Sequence, residues 1–148
     1  MCGVRGDDSG RLCVVWQGRA GEVHRLLQAK ADANAADANG FTALLAAAWL
    51  DNITIARLLL REGKADATLA NQNGVFPLFV AAQRGHLALV RLLLREGKAD
   101  ANLTNQDGST PLFVTAATGR SELAWLLLLD ATADATHART PIPTPLCI

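Results

Sequence analysis

Apolar residues occur along this chain in short blocks with helical spacing, and polar stretches separate the blocks. Val23 and Leu26 belong to one stripe, and leucine-rich runs return at 58–60, 92–94 and 126–129. Apolar residues spaced three or four positions apart predict amphipathic helices rather than strands. The pattern therefore predicts an all-α fold of paired short helices. The predicted helices are 11–17, 20–29, 43–50, 53–62, 77–84, 86–96, 111–118 and 120–129.

The chain also repeats itself with a fixed period. The segment 61–66 (Arg-Glu-Gly-Lys-Ala-Asp) returns unchanged at 95–100, and 95 − 61 gives a shift of 34 residues. The aspartate that ends this segment stands at positions 32, 66, 100 and 134. Repeats of this length are typical of solenoids, in which each unit covers its apolar face by stacking on the next. We therefore predict one domain of stacked units, each a turn followed by two antiparallel helices.

Turn residues recur with the same period. Asn-Gly at 39–40 and 73–74 and Asp-Gly at 107–108 are dipeptides suited to a hairpin turn. Pro77 and Pro111 fit the first turn of a helix, where a missing N–H costs nothing. Each predicted turn is therefore followed by a predicted first helix.

Other residues predict where the helices begin and end. Ser9 and Thr42 are expected to be N-caps, and either Asp51 or Asn52 is expected to cap the helix that starts near residue 53. Gly63 is expected to adopt the left-handed conformation that ends a helix.

The repeated segments carry the motifs of a known family. Residues 110–116 (Thr-Pro-Leu-Phe-Val-Thr-Ala) resemble the T-P-L-H-x-A-A opening of an ankyrin repeat, as do residues 76–82, and residues 42–48 are a weaker copy. Residues 85–90 (Gly-His-Leu-Ala-Leu-Val) resemble the G-H-L-E-V-V link between the two helices of that repeat. The resemblance implies an ankyrin-repeat solenoid with projecting turns. The implied repeats are about 9–38, 39–72, 73–106 and 107–140.

One residue of the family pattern is missing throughout. Leu45, Phe79 and Phe113 replace the histidine that in ankyrin repeats ties turn to turn by hydrogen bonds. We therefore expect stability here to depend more on apolar packing.

The two ends of the chain are expected to differ from the repeats. Residues 1–8 are expected to be a flexible leader. Residues 144–148 lie 34 positions after 110–114 and copy their opening Thr-Pro-Leu, so 141–148 is interpreted as the truncated start of a fifth repeat. On that interpretation the chain is a fragment of a longer array. The alternative is a tail that folds back as a cap.

In the ankyrin pattern, the positions free to vary are the turn tips and the ends of the first helices, which together line a concave face. The resemblance therefore implies a protein-binding module with aromatic anchors, because tryptophan and arginine are enriched among binding hot spots. The candidate contacts are Trp16, Asn39, Phe41, Trp49, Leu50, Gln72, Asn73, Val75, Gln83 and Arg84.

Three tryptophans leave alternatives open. Trp16 and Trp49 are either binding anchors or a stacked pair that serves as a makeshift N-terminal cap. Trp125 shares a column with polar residues, so its exposure indicates cover by the tail, a second contact site, or nothing specific.

The net charge bears on the class of partner, and the cysteines bear on the cellular compartment. Fourteen basic and 14 acidic residues give a net charge of zero, so nucleic acid and membrane are not expected as partners. Cys2, Cys13 and Cys147 are widely spread, which predicts three free thiols and a reducing compartment. Without a signal peptide or an 18-residue apolar run, a cytoplasmic protein is expected, with a nuclear location as an alternative.

No constellation of residues predicts catalysis. His24, His86 and His137 are far apart, and neither a metal site nor a nucleophile–base pair can be built from them. We therefore expect no enzyme activity, no cofactor and no metal. The alternative to a binding module is a structural spacer, or a fragment that self-associates weakly through its uncapped C-terminal end.

Overall fold

The computed structural model describes the backbone of residues 8–135 and the side chains of residues 12–130. This part of the chain forms eight α-helices and no strand, so the predicted all-α class is confirmed. The helices are α1 (Asp8–Trp16), α2 (Ala20–Gln28), α3 (Ala43–Trp49), α4 (Ile53–Arg61), α5 (Pro77–Arg84), α6 (Leu87–Arg95), α7 (Pro111–Ala117) and α8 (Ser121–Ala135).

The first and last helices differ most from the predicted limits. Helix α1 begins at Asp8, so Ser9 lies inside the helix and is not its N-cap. Helix α8 continues to Ala135, although the sequence pattern ends it at 129. The second and third units place a glycine after their leucine runs, whereas the fourth has Ala131 there, and alanine favours helix continuation. Asp134 therefore lies in a helix rather than in a loop.

Several predictions concern residues outside the described part of the chain. These are residues 1–7 of the leader, the whole tail 141–148, and residues 136–140 of the fourth repeat. Cys2, Cys147 and His137 fall in the same stretches.

Side-chain caps start the helices where the sequence indicated. The Thr42 hydroxyl accepts a hydrogen bond from the Leu45 N–H at 3.2 Å, and Thr110 does the same for Phe113 at 3.1 Å. Of the two candidates for α4, Asn52 is the cap, since its Oδ1 accepts from the Ile55 N–H at 3.1 Å. These bonds satisfy backbone donors that have no partner inside the helix.

The end of α4 contradicts the sequence interpretation. The left-handed residue is Lys64, with φ of 51°, and Lys98 repeats this after α6 with φ of 48°. Gly63 is required for another reason: a Cβ there would lie 2.7 Å from the Ala33 Cβ and 2.9 Å from the Leu27 Cδ2. The glycine therefore allows close approach of the preceding unit.

The three predicted turns share one hydrogen-bond pattern. The Gly40 N–H donates to the Asp37 carbonyl and the Asp37 N–H to the Phe41 carbonyl, both at 3.0 Å. The Asp37 carboxylate also accepts the N–H groups of Asn39 and Phe41 at 2.9 Å. Asn71 and Asn105 occupy the same position in the next two turns. The prediction of a recurring hairpin turn is confirmed.

The helices stack in two parallel rows. The first helices pack in the order α1, α3, α5, α7, and the second helices pack as α2, α4, α6, α8. Three residues at equivalent positions show how a neighbouring unit covers the core: Leu45 is 0% exposed, Phe79 is 5% exposed, and Phe113 in the fourth unit is 63% exposed. The apolar replacements of the family histidine are thus core residues in the two inner units.

The turns are nevertheless tied to one another by hydrogen bonds. The Gln72 side-chain amide donates to the Ala38 carbonyl at 2.7 Å, and the Gln106 amide donates to the Gln72 carbonyl. The Asn34 Oδ1 accepts from the Asp66 N–H at 2.7 Å. Glutamine and asparagine side chains therefore connect the units at their turns, in addition to the apolar packing that the sequence indicated.

Ion pairs connect the second helices on their outer face. Arg61 donates two hydrogen bonds to Glu96, at 2.7 and 2.8 Å, and Nδ1 of His24 lies 2.8 Å from Oε2 of Glu62. The hydrogen bonds from Arg61 hold the pKa of Glu96 below its usual value. Exposed ion pairs contribute little to stability. We therefore expect these contacts mainly to align each second helix with the next.

The cysteine prediction is wrong in one respect. Cys13 is disulfide-bonded and is therefore not a free thiol. The argument from free thiols to a reducing compartment therefore does not hold. Among the described residues, no helix combines the length and apolarity that crossing a membrane requires.

Candidate functional site

The candidate contact residues lie at the ends of the first helices and in the turns that precede those helices. We call this group of ten residues the first-helix surface. Eight of them are exposed, and Phe41 and Val75 are half-buried and pack against the core. The exposed members are Trp16, Asn39, Trp49, Leu50, Gln72, Asn73, Gln83 and Arg84.

Trp16, the last residue of α1, packs on a turn residue of the next unit. Its ring centroid lies 6.3 Å from that of Phe41, with the ring planes tilted by 40°. This separation lies within the range of attractive aromatic pairs. Trp16 nevertheless remains 40% exposed, so the contact fixes the indole while leaving much of it accessible.

Trp49, the last residue of α3, is covered by an arginine at the end of α5. The Arg84 Cζ lies 4.2 Å from the centroid of the Trp49 ring, which is a cation–π geometry. Trp49 remains 41% exposed, and so does its neighbour Leu50. Among the described residues, the two tryptophans thus contact Phe41 and Arg84 rather than each other, unlike the stacked-pair alternative.

The turn residues of the surface have more varied surroundings. Gln72 is exposed, but its side-chain amide is engaged with the Ala38 carbonyl of the preceding turn. The backbone N–H of Asn73 donates to Asn71, and its side chain is exposed. The structure therefore brings together two pairs, Trp16 with Phe41 and Trp49 with Arg84, and leaves Gln72 occupied within the fold.

The sequence interpretation missed one arginine beside this surface. The Arg120 guanidinium lies over Gly85, the residue that follows Arg84, and a Cβ on Gly85 would collide with it. Gly85 also has a φ of +83°, so glycine is favoured there for two reasons. Position 120 follows His86 by 34 residues, and this register was the signal that could have identified Arg120.

Within the described residues, the polar groups near the surface do not form a metal-binding cluster. Nδ1 of His86 lies 3.5 Å from Oδ2 of Asp51, whereas His24 pairs with Glu62 on the outer face. No group of three or more histidine, cysteine, aspartate or glutamate side chains in the described residues is placed to hold a metal ion. What the surface offers is aromatic area and guanidinium donors.

Comparison with known families agrees with the repeat pattern. A family model for ankyrin repeats in three copies matches residues 63–139, and one for many copies matches residues 12–60. A search of curated proteins found no match. Ankyrin repeats are generally protein–protein interaction modules, and the family is typically non-enzymatic. With both halves of the chain matched and eight helices stacked at the repeat spacing, this chain belongs to the ankyrin repeat family.

Proposed function

We propose that this chain is a non-enzymatic module that binds a partner protein on the first-helix surface. The observation that carries the proposal is the pair of exposed tryptophans, each held by a neighbour: Trp16 by Phe41 and Trp49 by Arg84. Tryptophan and arginine are the side chains most enriched at binding hot spots.

The surroundings of the two tryptophans favour binding for an energetic reason. Both stand at the ends of helices whose buried sides are fixed in the core, so the backbone is ordered before any partner arrives. Each indole also has a contact that restricts its rotamers. Association costs less free energy when the contact groups are already immobilised.

Replacing Trp49 with alanine tests this proposal. The partner for this test is a protein isolated with the wild-type chain and then purified. We expect the free energy of binding to weaken by about 2 kcal/mol or more, which is a roughly 30-fold loss of affinity, as for a hot-spot residue. The far-UV circular dichroism should be unchanged, since Trp49 is exposed. Isothermal titration of the purified pair measures the change.

Trp125→Ala is the matched control, because Trp125 is 66% exposed and lies on α8, outside the first-helix surface. We expect this variant to bind like the wild type. If Trp49→Ala also bound like the wild type, Trp49 would be removed from the proposed site.

A second candidate function is self-association through the fourth repeat. Phe113 is 63% exposed, although Phe79 at the equivalent position is buried by the next unit. Such a side chain presents the same kind of surface that unit-to-unit stacking uses elsewhere in the chain. Exposed apolar surface of this kind is typical of interaction sites.

Sedimentation across a concentration series tests this second candidate. We expect the wild type to form a dimer as the concentration rises and the Phe113→Gln variant to remain a monomer. Trp49→Ala should dimerise like the wild type, because Trp49 is not part of the fourth repeat. A wild-type chain that stays monomeric at every concentration would exclude this function.

A further inference from the structure

The first-helix surface changes from apolar to cationic along the stack. Its N-terminal part contains Trp16, Phe41 and Leu50. Arg84 at the end of α5 follows, and Arg120 lies over the next residue, Gly85. A partner that covers the surface must therefore complement both parts.

Arg84 is oriented by Trp49 but keeps its hydrogen-bond donors. Stacking uses the flat face of a guanidinium group, and its N–H groups point outward from the edge of that plane. None of the described carboxylates forms an ion pair with Arg84 or Arg120. Both guanidinium groups are therefore available to a carboxylate, and the contact with Trp49 restricts the position of the Arg84 guanidinium.

The acidic groups nearby form no ion pair with Arg84 or Arg120. Asp51 lies against His86, with 3.5 Å between Oδ2 and Nδ1. Glu122 lines a cavity of about 300 Å³ beside Arg120, together with Gly85 and Leu87, but it makes no ion pair with that arginine. Since neither Asp51 nor Glu122 pairs with Arg84 or Arg120, both guanidinium groups can bind a carboxylate from a partner.

The repeat geometry sets the separation of the two kinds of contact. Neighbouring packed helices lie about 8–10 Å apart, so Trp49 on α3 and Arg84 on α5 have backbones roughly that far apart. An extended peptide advances about 3.3 Å per residue. The distance between two neighbouring first helices therefore corresponds to the length of about three residues of an extended peptide.

We propose that the partner segment is an extended peptide with a large apolar side chain and an acidic side chain about three residues from it. The apolar side chain contacts Trp49 and Leu50, and the carboxylate pairs with Arg84, with Arg120 as a second donor. This inference rests on the proposed function of the first-helix surface and names the chemical class of its ligand.

Selection from a displayed library of random peptides, each about a dozen residues long, tests the inference on the full chain. We expect the peptides enriched on the wild type to pair an aromatic or aliphatic residue with Asp or Glu about three positions away. Synthetic copies of these peptides should bind the Arg84→Gln variant at least about tenfold more weakly, and their affinity should fall as salt is added. Arg91→Gln, on the exposed side of α6, is the matched control and should bind them like the wild type.

The possible outcomes separate this inference from the function on which it rests. Enriched peptides that lose affinity for Trp49→Ala but show no acidic preference, and bind Arg84→Gln normally, would overturn the inference and leave the binding surface in place. Peptides that bind Trp49→Ala as well as the wild type would overturn both. If no peptide were enriched, the inference alone would be overturned, because the proposed function is tested with a whole partner protein.

Discussion

Replacing Phe79 with alanine is expected to lower the free energy of unfolding by about 3–5 kcal/mol, the usual cost of removing a buried phenylalanine ring. Phe79 is 5% exposed in α5, a helix that packs on both α3 and α7. Its ring also contacts Phe76 edge to face, with centroids 5.9 Å apart. Chemical denaturation followed by circular dichroism measures the change.

The matched control is Phe113→Ala, because Phe113 has the same repeat position and is 63% exposed. We expect this variant to lose less than about 1 kcal/mol, as most exposed substitutions do. Equal losses for the two variants would mean that the neighbouring unit does not protect Phe79, and the stacked arrangement would be in doubt.

Replacing Gly63 with alanine is expected to lower the free energy of unfolding by about 1–3 kcal/mol, the usual cost of overpacking. The new Cβ would lie 2.7 Å from the Ala33 Cβ and 2.9 Å from both the Leu27 Cδ2 and the Leu59 carbonyl oxygen. These close contacts can be removed only if the second unit moves away from the first. The backbone at Gly63 is not left-handed, so crowding rather than backbone strain causes the loss.

Two controls separate crowding from backbone conformation. Gly21→Ala adds the same methyl group to the exposed surface of α2, where nothing lies within 4 Å, and should stabilise the protein by about 0.5–1 kcal/mol. Lys64→Gly relieves the left-handed lysine and should change stability by no more than about 1 kcal/mol. If Gly63→Ala behaved like Gly21→Ala, the proposed close approach of the two units would be wrong.

The local features of this protein could be predicted from its sequence. The limits of α5 match the prediction at both ends, Thr42 and Asn52 cap the helices that they precede, and the turn at residues 37–41 recurs twice. Each of these features depends on groups within a few residues of one another. In a repeated sequence the same local pattern also occurs in several units. The stacking followed because no unit can cover its own leucines.

The candidate surface could be located from the repeat register, but its contacts could not. The register placed Trp16, Trp49 and Arg84 at the ends of first helices, where the structure also has them. That Arg84 covers Trp49, or that Arg120 reaches back over Gly85, depends on side-chain directions in two neighbouring units. A periodic pattern gives the order of positions and not the rotamers that join them.

The sequence by itself determined the helix pairs, the period of 34, the caps Thr42 and Asn52, and the turns, because these depend on neighbours along the chain. Only the tertiary structure showed that Gly63 is needed for the approach of the preceding unit while Lys64 takes the left-handed conformation. It also decided that Gln72 ties two turns together, and that Phe79 is buried while Phe113 is exposed. These outcomes depend on which atoms of a neighbouring unit lie within a few ångströms, and that distance is set by packing between units.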